Sequence, residues 1–323
     1  MPLSRGEYYK IRGLLGIALI MNHDHVGRLF KVKKSFAFVL AAAFLFGTME
    51  VALKLAGSSF NAMQLTFLRF LIGGICLLPF AMFDLKKRQY RLTVGDWAYF
   101  FLLGFVNICI SMVLFQLGVM RTNANLAAVI ISTSPIFTMI FAQFIVNEKF
   151  TAKKAVVLIL NVIGLIIVAN PVTLFSGKSA VSGILLTLVA AVAFGLYTAL
   201  GKKRIEKIGG LTQNSLSFIL GSSVLLVVLL VTKQPVVGGI QLSTLPLLLY
   251  LSIFVTAIGY YCYLKAIEVS GPSTASITFF IKPIFAPIIA FAVLNEAITV
   301  NLVFGVVFIL AGSLVSIARD KYI

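Results

Sequence analysis

The chain has 323 residues, 60% of them hydrophobic and 11% charged, with a mean hydropathy of +1.05 and a formal net charge of +17. Soluble domains carry about 25% charged residues, so this composition excludes a soluble fold and leaves no polar stretch large enough for a separate aqueous domain. The positive charge does not point to nucleic acid either, because the basic residues fall in short clusters between apolar spans, as the positive-inside rule expects.

Residues 1–34 read as a cytoplasmic tail or interfacial segment. Leu14–Met21 is too short to cross a bilayer, which takes about 20 apolar residues. It resembles a signal-peptide core with basic flanks but lacks a small-residue cleavage site, and Met21 offers an alternative start to Met1. The chain's histidines, His23 and His25, both fall in this tail. Runs long enough to span then follow at 35–56, 61–83, 97–119, 124–146, 153–170, 180–200, 212–232, 245–267, 272–294 and 299–318. Turn formers separate them, among them Gly57-Ser58-Ser59, Asn170-Pro171, Gly209-Gly210 and Gly271-Pro272. Cys76, Cys109 and Cys262 lie inside apolar runs without CxxC spacing and read as small buried hydrophobes.

One set of connections is basic: Lys31, Lys33 and Lys34 in the tail, then Lys86, Lys87 and Arg88, then Lys149, Lys153 and Lys154, then Lys202, Lys203 and Arg204, with Lys265, Arg319 and Lys321. The other set has Arg121, Lys178 and Lys233. This asymmetry predicts a multi-pass protein of the plasma (inner) membrane with both termini cytoplasmic, 319–323 forming the C-terminus.

An internal repeat runs through the chain. An ungapped offset of 148 residues, the separation of Pro135 and Pro283, also aligns Phe46-Gly47 with Phe194-Gly195, Lys54 with Lys202, Phe70 with Phe218, Gly73 with Gly221, Asn147-Glu148 with Asn295-Glu296 and Gly164 with Gly312. Apolar coincidences are common in such a chain, but shared Pro, Lys, Gly and Asn-Glu positions are not. Each unit, 35–170 and 180–318, holds five spans. Five is odd, so the second unit enters the membrane with opposite polarity. The expected fold is all-α and integral to the membrane, with ten transmembrane helices as two inverted five-helix repeats and a substrate site near the midplane where the halves meet. Pro135 and Pro283, each at mid-span, predict helix breaks at that depth.

On the duplicated five-span unit, on Phe46-Gly47-Thr48, Lys54 and Leu68-Arg69-Phe70, and on the pairs Pro135 with Asn147-Glu148 and Pro283 with Asn295-Glu296, the chain resembles the drug/metabolite transporter superfamily, EamA type. The resemblance covers about 35–318. It implies alternating-access transport, export of small metabolites such as amino acids or organic anions, and no enzyme chemistry. A drug or cation exporter using Glu50, or a lipid-carrier translocase, are the alternatives. The chain departs from many relatives in having Lys282 where they carry an acidic or small residue.

Lys282 stands in the middle of the apolar stretch Pro272–Leu294, next to Pro283. A charge at bilayer mid-depth costs about 2.5–3.5 kcal/mol on insertion scales, so Lys282 is the first candidate to attract a substrate anion such as a carboxylate. Glu50 and Lys54 share a helix face. At 1.5 Å per residue, Glu50 lies roughly 9 Å and Arg69 roughly 12 Å from the outer ends of their spans, so a Glu50–Arg69 pair is expected to be within reach. Protonation of Glu50 would release Lys282 and couple transport to protons; a buried ion pair that only fixes packing is the alternative. The substrate-binding candidates are Lys282, Glu50, Tyr197, Tyr260, Asn107, Ser134 and Gln64, and the coupling or ion-pair candidates are Glu50, Arg69 and Lys54. Glu148 and Glu296 read as helix-end or gate residues. Neither a P-loop nor an HExxH, Cys/His or Ser-His-Asp set appears, so no cofactor or metal is expected. The expected partners are a small-molecule substrate, membrane lipids and a coupling proton, with no nucleic acid, in a monomer or weak homodimer.

Overall fold

The computed structural model describes residues 36–147, 151–169, 178–270 and 277–317, and among these the secondary structure is helical with no strand. The helices are α1 (Phe36–Ala56), α2 (Ala62–Lys87), α3 (Val94–Arg121), α4 (Ala124–Ile145), α5 (Ala152–Ala169), α6 (Lys178–Lys202), α7 (Gly210–Val231), α8 (Leu245–Ala266), α9 (Ile277–Leu294) and α10 (Val300–Ile317). Seven of them, α1 to α4 and α6 to α8, are long and apolar enough to cross a membrane, and α9 and α10 contain shorter apolar stretches. The tail with His23 and His25, the turns at Asn170-Pro171 and Gly271-Pro272, Glu148, Lys149, Arg319 and Lys321 lie outside the described residues.

Apolar runs fold this way because a bilayer offers no partners to the backbone, and a helix pairs its N–H and C=O groups within itself. The helix ends are written in polar residues. Asn61 caps α2 by accepting from Gln64 N at 2.8 Å. Asp96, in the first turn of α3, accepts from Thr93 N at 2.9 Å and from Thr93 Oγ1 at 2.8 Å. Asn147 and Asn295, just past α4 and α9, both take φ of 54°. Asn tolerates that left-handed conformation better than most residues, which gives the repeated Asn-Glu a backbone reason.

α2 packs along α7, α5 along α10, α6 against α3 and α4, and α9 against α1 and the first part of α4. Small residues set the closest approaches, as is usual between membrane helices. A Cβ on Gly73 would stand 2.7 Å from Thr256 Cγ2, and one on Gly221 would stand 2.7 Å from Ile108 Cγ1. Gly47 meets Phe285, and Gly195 meets Phe137. Gly164 meets Ile309, and Gly312 meets Asn161. In each pair of contacts both residues shift by the repeat offset, with first and second halves exchanged. Phe70 and Phe218, themselves repeat-equivalent, meet edge-to-face at 4.8 Å.

The two prolines behave differently. α4 breaks as expected: Ala124–Ile131 ends, Ser132 and Thr133 turn, and Ser134–Ile145 restarts with Pro135 in its first turn, where the missing N–H is harmless. Ser132 and Thr133 hydroxyls donate to Ala128 O and Ile130 O, each at 2.7 Å. The break expected at Pro283 is absent, since α9 runs through Pro283 and Pro287 without interruption. The difference follows from the preceding residues. Ser132-Thr133-Ser134 offers the backbone alternative hydrogen bonds, whereas the equivalent Phe280-Ile281-Lys282 does not. Two further distortions have no sequence signal: Phe105–Met112 of α3 and Tyr250–Ile258 of α8 are π-helical.

Candidate functional site

Glu50 and Lys282 meet because α1 and α9 come close. Gly47 leaves so little room that a Cβ there would stand 2.8 Å from Phe285 Cβ. About one turn along each helix from that contact, Lys282 Nζ donates to Glu50 Oε1 at 2.5 Å, and the two side chains are 2% and 0% exposed. α1 bends at Thr48, whose hydroxyl donates to Leu45 O at 2.8 Å and lies 2.6 Å from the Tyr250 hydroxyl. Glu50 falls in the first turn after the bend, where the helix N-terminus favours a carboxylate. The Phe115 ring centroid lies 5.9 Å from Lys282 Nζ and helps seal the pair.

The expected Glu50–Arg69 pair does not form: the carboxylate goes to α9 rather than α2. Arg69 lies instead over the ring of its own neighbour Phe70, with Cζ 4.5 Å from the centroid. Its Nη2 reaches Met112 Sδ at 3.5 Å, and no protein group accepts from Nε or Nη1. Arg69 is 2% exposed. Asn107, in the π-helical part of α3, is fully buried with neither amide atom paired, and Glu50 Oε2 and Gln116 Oε1 are likewise without a partner. Buried polar groups are hydrogen-bonded in the great majority of cases, so unmet donors and acceptors mark this part of the bundle.

These groups sit between helices drawn from both halves, which is where a duplicated membrane protein binds small solutes. The EamA-like transporter family model matches residues 33–170 and, a second time, 181–318. The chain belongs to the EamA-like transporter family. Family and relatives alike indicate a membrane transporter rather than an enzyme. An uncharacterized transporter of Clostridium kluyveri is 40% identical over 295 residues, covering 90% of this chain and 95% of that protein. An uncharacterized transporter of Archaeoglobus fulgidus is 27% identical over 87% of this chain and 97% of its own length. A WAT1-related chloroplastic protein of Arabidopsis thaliana is 25% identical over 80% of this chain and 63% of that protein. A solved crystal structure superposes with a TM-score of 0.65 at 15% identity, covering 88% of this chain and 96% of that one, and speaks to the fold alone.

The other candidate residues of this EamA-like transporter divide into two groups. Near the buried charges lies Tyr260, whose ring meets Phe46 at 5.3 Å and Phe218 at 5.0 Å, both edge-on. Tyr197 donates to Asn214 Oδ1 at 2.6 Å, a partner the sequence did not suggest. Ser134, which opens the second half of α4, is the repeat counterpart of Lys282. Gln64 is not part of the cluster: its amide donates to Val236 O at 3.3 Å and Gly238 O at 2.5 Å, tying α2 to the loop before α8. Lys54, an ion-pair candidate, faces Glu296 Oε1 at 3.5 Å and also donates to Thr122 O. Glu296 accepts from Ala124 N at 2.8 Å and Asn125 N at 3.0 Å, capping α4. On the other side, Arg204 Nη1 pairs with Asp96 Oδ1 at 2.6 Å. Thr93 three residues before Asp96 is a capping-box spacing that reveals the cap but not the distant arginine.

Proposed function

We propose that the protein is a secondary transporter of ten spans, two inverted five-helix repeats at 35–170 and 180–318, with a cytoplasmic tail (1–34) and a cytoplasmic C-terminus (319–323). It sits in the plasma membrane and exports small metabolites, amino acids or organic anions, by alternating access around a midplane site. The observation that carries this reading is the sealed Glu50–Lys282 pair, which joins the first half to the second at the α1–α9 crossing. The contacts that recur with the halves exchanged support the inverted arrangement, since each half then offers the other the same surfaces.

In this mechanism the pair is the coupling element. While Glu50 is ionised, it holds Lys282 and keeps α1 on α9. A proton on Glu50 removes the charge, frees the ammonium and loosens the crossing, so the halves can rock. In reconstituted vesicles loaded with amino acids or organic acids, a pH gradient should drive flux. Lys282→Ala should lower that flux at least about tenfold, the scale of one lost charge-assisted hydrogen bond. Glu50→Gln should leave exchange but remove the response to the gradient. Unchanged flux in folded Lys282→Ala protein defeats this reading.

One observation favours a second reading, a drug or cation exporter that uses Glu50. The Lys282 ammonium is paired and shielded, so it presents no free charge to an anion. That reading expects export of quaternary amines to stop in Glu50→Gln.

A further inference from the structure

Resting on the transporter reading, we propose that Arg69 and the amide of Asn107 form the recognition site for the carboxylate of the substrate, and that Lys282 does not.

Lys282 has spent its charge on Glu50, whereas Arg69 has not. Its guanidinium is buried among apolar groups, its Nη2 has a thioether for a neighbour, and its Nε and Nη1 have no acceptor. A thioether is a weak acceptor, so this is an arginine held in place without a hydrogen-bonded anion of its own. Such a group is costly unless something answers it. Asn107 is also fully buried with its Nδ2 unmatched. Its position relative to Arg69 follows from the local helix. Asn107 and Met112 are five residues apart within the same π-helical segment, so they stand about one π-turn apart on one face. Arg69 touches Met112, which brings the guanidinium and the amide to the same side of α3. Tyr260 stands in the same region, its ring edge-on to Phe218, which in turn meets the Phe70 ring that lies under Arg69.

Charge narrows the ligand. Glu50, Lys282 and Arg69 together carry one unbalanced positive charge. A monoanion cancels it, and a dianion overshoots. A planar carboxylate matches the guanidinium fork, and Asn107 Nδ2 supplies a further donor. The Phe70 ring beneath Arg69, backed edge-on by Phe218, fixes the fork before the ligand arrives. Two sources offer that carboxylate: simple monocarboxylates, which also cancel the charge, and amino acids, whose ammonium restores it and needs acceptors of its own. For an amino acid, Glu50 Oε2 and Asn107 Oδ1 are unmatched acceptors available to the ammonium.

The test is binding to the purified full-length protein, read by thermal shift and titration calorimetry. The probes are amino acids and the monocarboxylates acetate, lactate and benzoate, each beside its neutral primary amide, with nucleosides and quaternary amines alongside. A carboxylate should bind and its amide should not. Arg69→Gln should weaken that binding about 10- to 100-fold, Arg69→Lys less, and Asn107→Ala, which leaves all charges in place, about 2- to 10-fold. An arginine that serves packing alone would shift the baseline melting temperature and leave the carboxylate-to-amide preference untouched. If Arg69→Gln does not fold, Asn107→Ala decides. Hits on amino acids without monocarboxylates add the ammonium contact to the site. Carboxylate binding unchanged in both variants, or hits confined to neutral and cationic probes, overturns the assignment. Such hits leave the transporter reading standing, because that reading fails separately, by absence of flux in vesicles.

Discussion

The α1–α9 and α6–α4 crossings hold equivalent places in the two halves, yet they differ in chemistry. Both are built on a glycine set against a phenylalanine, Gly47 on Phe285 and Gly195 on Phe137. Beside the first stand Glu50 and Lys282, sealed and paired. Beside the second stand their counterparts Thr198 and Ser134. The Thr198 hydroxyl donates to Phe194 O at 2.9 Å, within its own helix. The neutral crossing demonstrates that two helices can pack this way with hydroxyls alone. Charge at the other crossing is therefore not a requirement of the packing, which argues for a role in transport.

The largest effect should come from making the charged crossing half-neutral. Lys282→Ala leaves Glu50 buried without its partner and should cost about 3–5 kcal/mol, measured by unfolding in detergent. Copying the neutral crossing instead, with Glu50→Thr and Lys282→Ser together, removes both charges. That double variant should stand within about 1 kcal/mol of wild type and yet fail to transport. If it transports at the wild-type rate, the pair is scaffold and the comparison has misled. Rebuilding the pair at the other crossing, by Thr198→Glu with Ser134→Lys, should then restore no flux.

Apolar length makes the helices legible in the sequence, because a membrane leaves the backbone no other way to pair. Lys282 and Glu50 stand out for a related reason, since each carries a charge where the composition tolerates few. Their meeting is not legible, as it depends on a crossing between residues far apart in the chain. The sequence places Arg69 beside Glu50 by depth, but depth along two helices says nothing about which way each side chain turns. The Pro135 break is legible from proline and its hydroxyl neighbours together. Pro283 shows that proline alone is insufficient. The π-helical segments and Asn107's unmatched amide leave no trace in residue type, because both arise from how neighbouring helices lock together.

A second comparison of equivalent positions tests the packing itself. A Cβ on Gly164 would stand 2.7 Å from the Gly305 carbonyl oxygen, which is backbone and cannot step aside. On Gly312 it would run into the Asn161 amide, a side chain that can turn at the expense of its 2.8 Å bond to Val157 O. Gly164→Ala should therefore cost about 1–3 kcal/mol, and Gly312→Ala less, by thermal unfolding of each variant. Equal costs would mean that α5 and α10 relax as a unit and that the identity of the neighbour is immaterial.

The smallest effects belong to the Glu296 cluster, and they separate a cap from an ion pair. Glu296 accepts two backbone N–H groups at the start of α4, from Ala124 and Asn125, and Asn125 Nδ2 returns a bond to Ala297 O at 3.3 Å. Lys54 lies 3.5 Å away with its side chain 31% exposed. A carboxylate on a helix N-terminus is worth about 0.5–2 kcal/mol, whereas a part-exposed ion pair contributes about 0–1 kcal/mol and is screened by salt. Glu296→Ala should thus lower the melting temperature more than Lys54→Met does. Added salt should shrink the Lys54→Met effect while leaving the Lys282→Ala effect in place, because the Glu50–Lys282 pair is sealed from ions. If Lys54→Met proves the more damaging, the link from α1 to the turn after α9 outweighs the cap on α4. Lys54 would then be the second charged tie between the halves, from α1 to the segment just past α9.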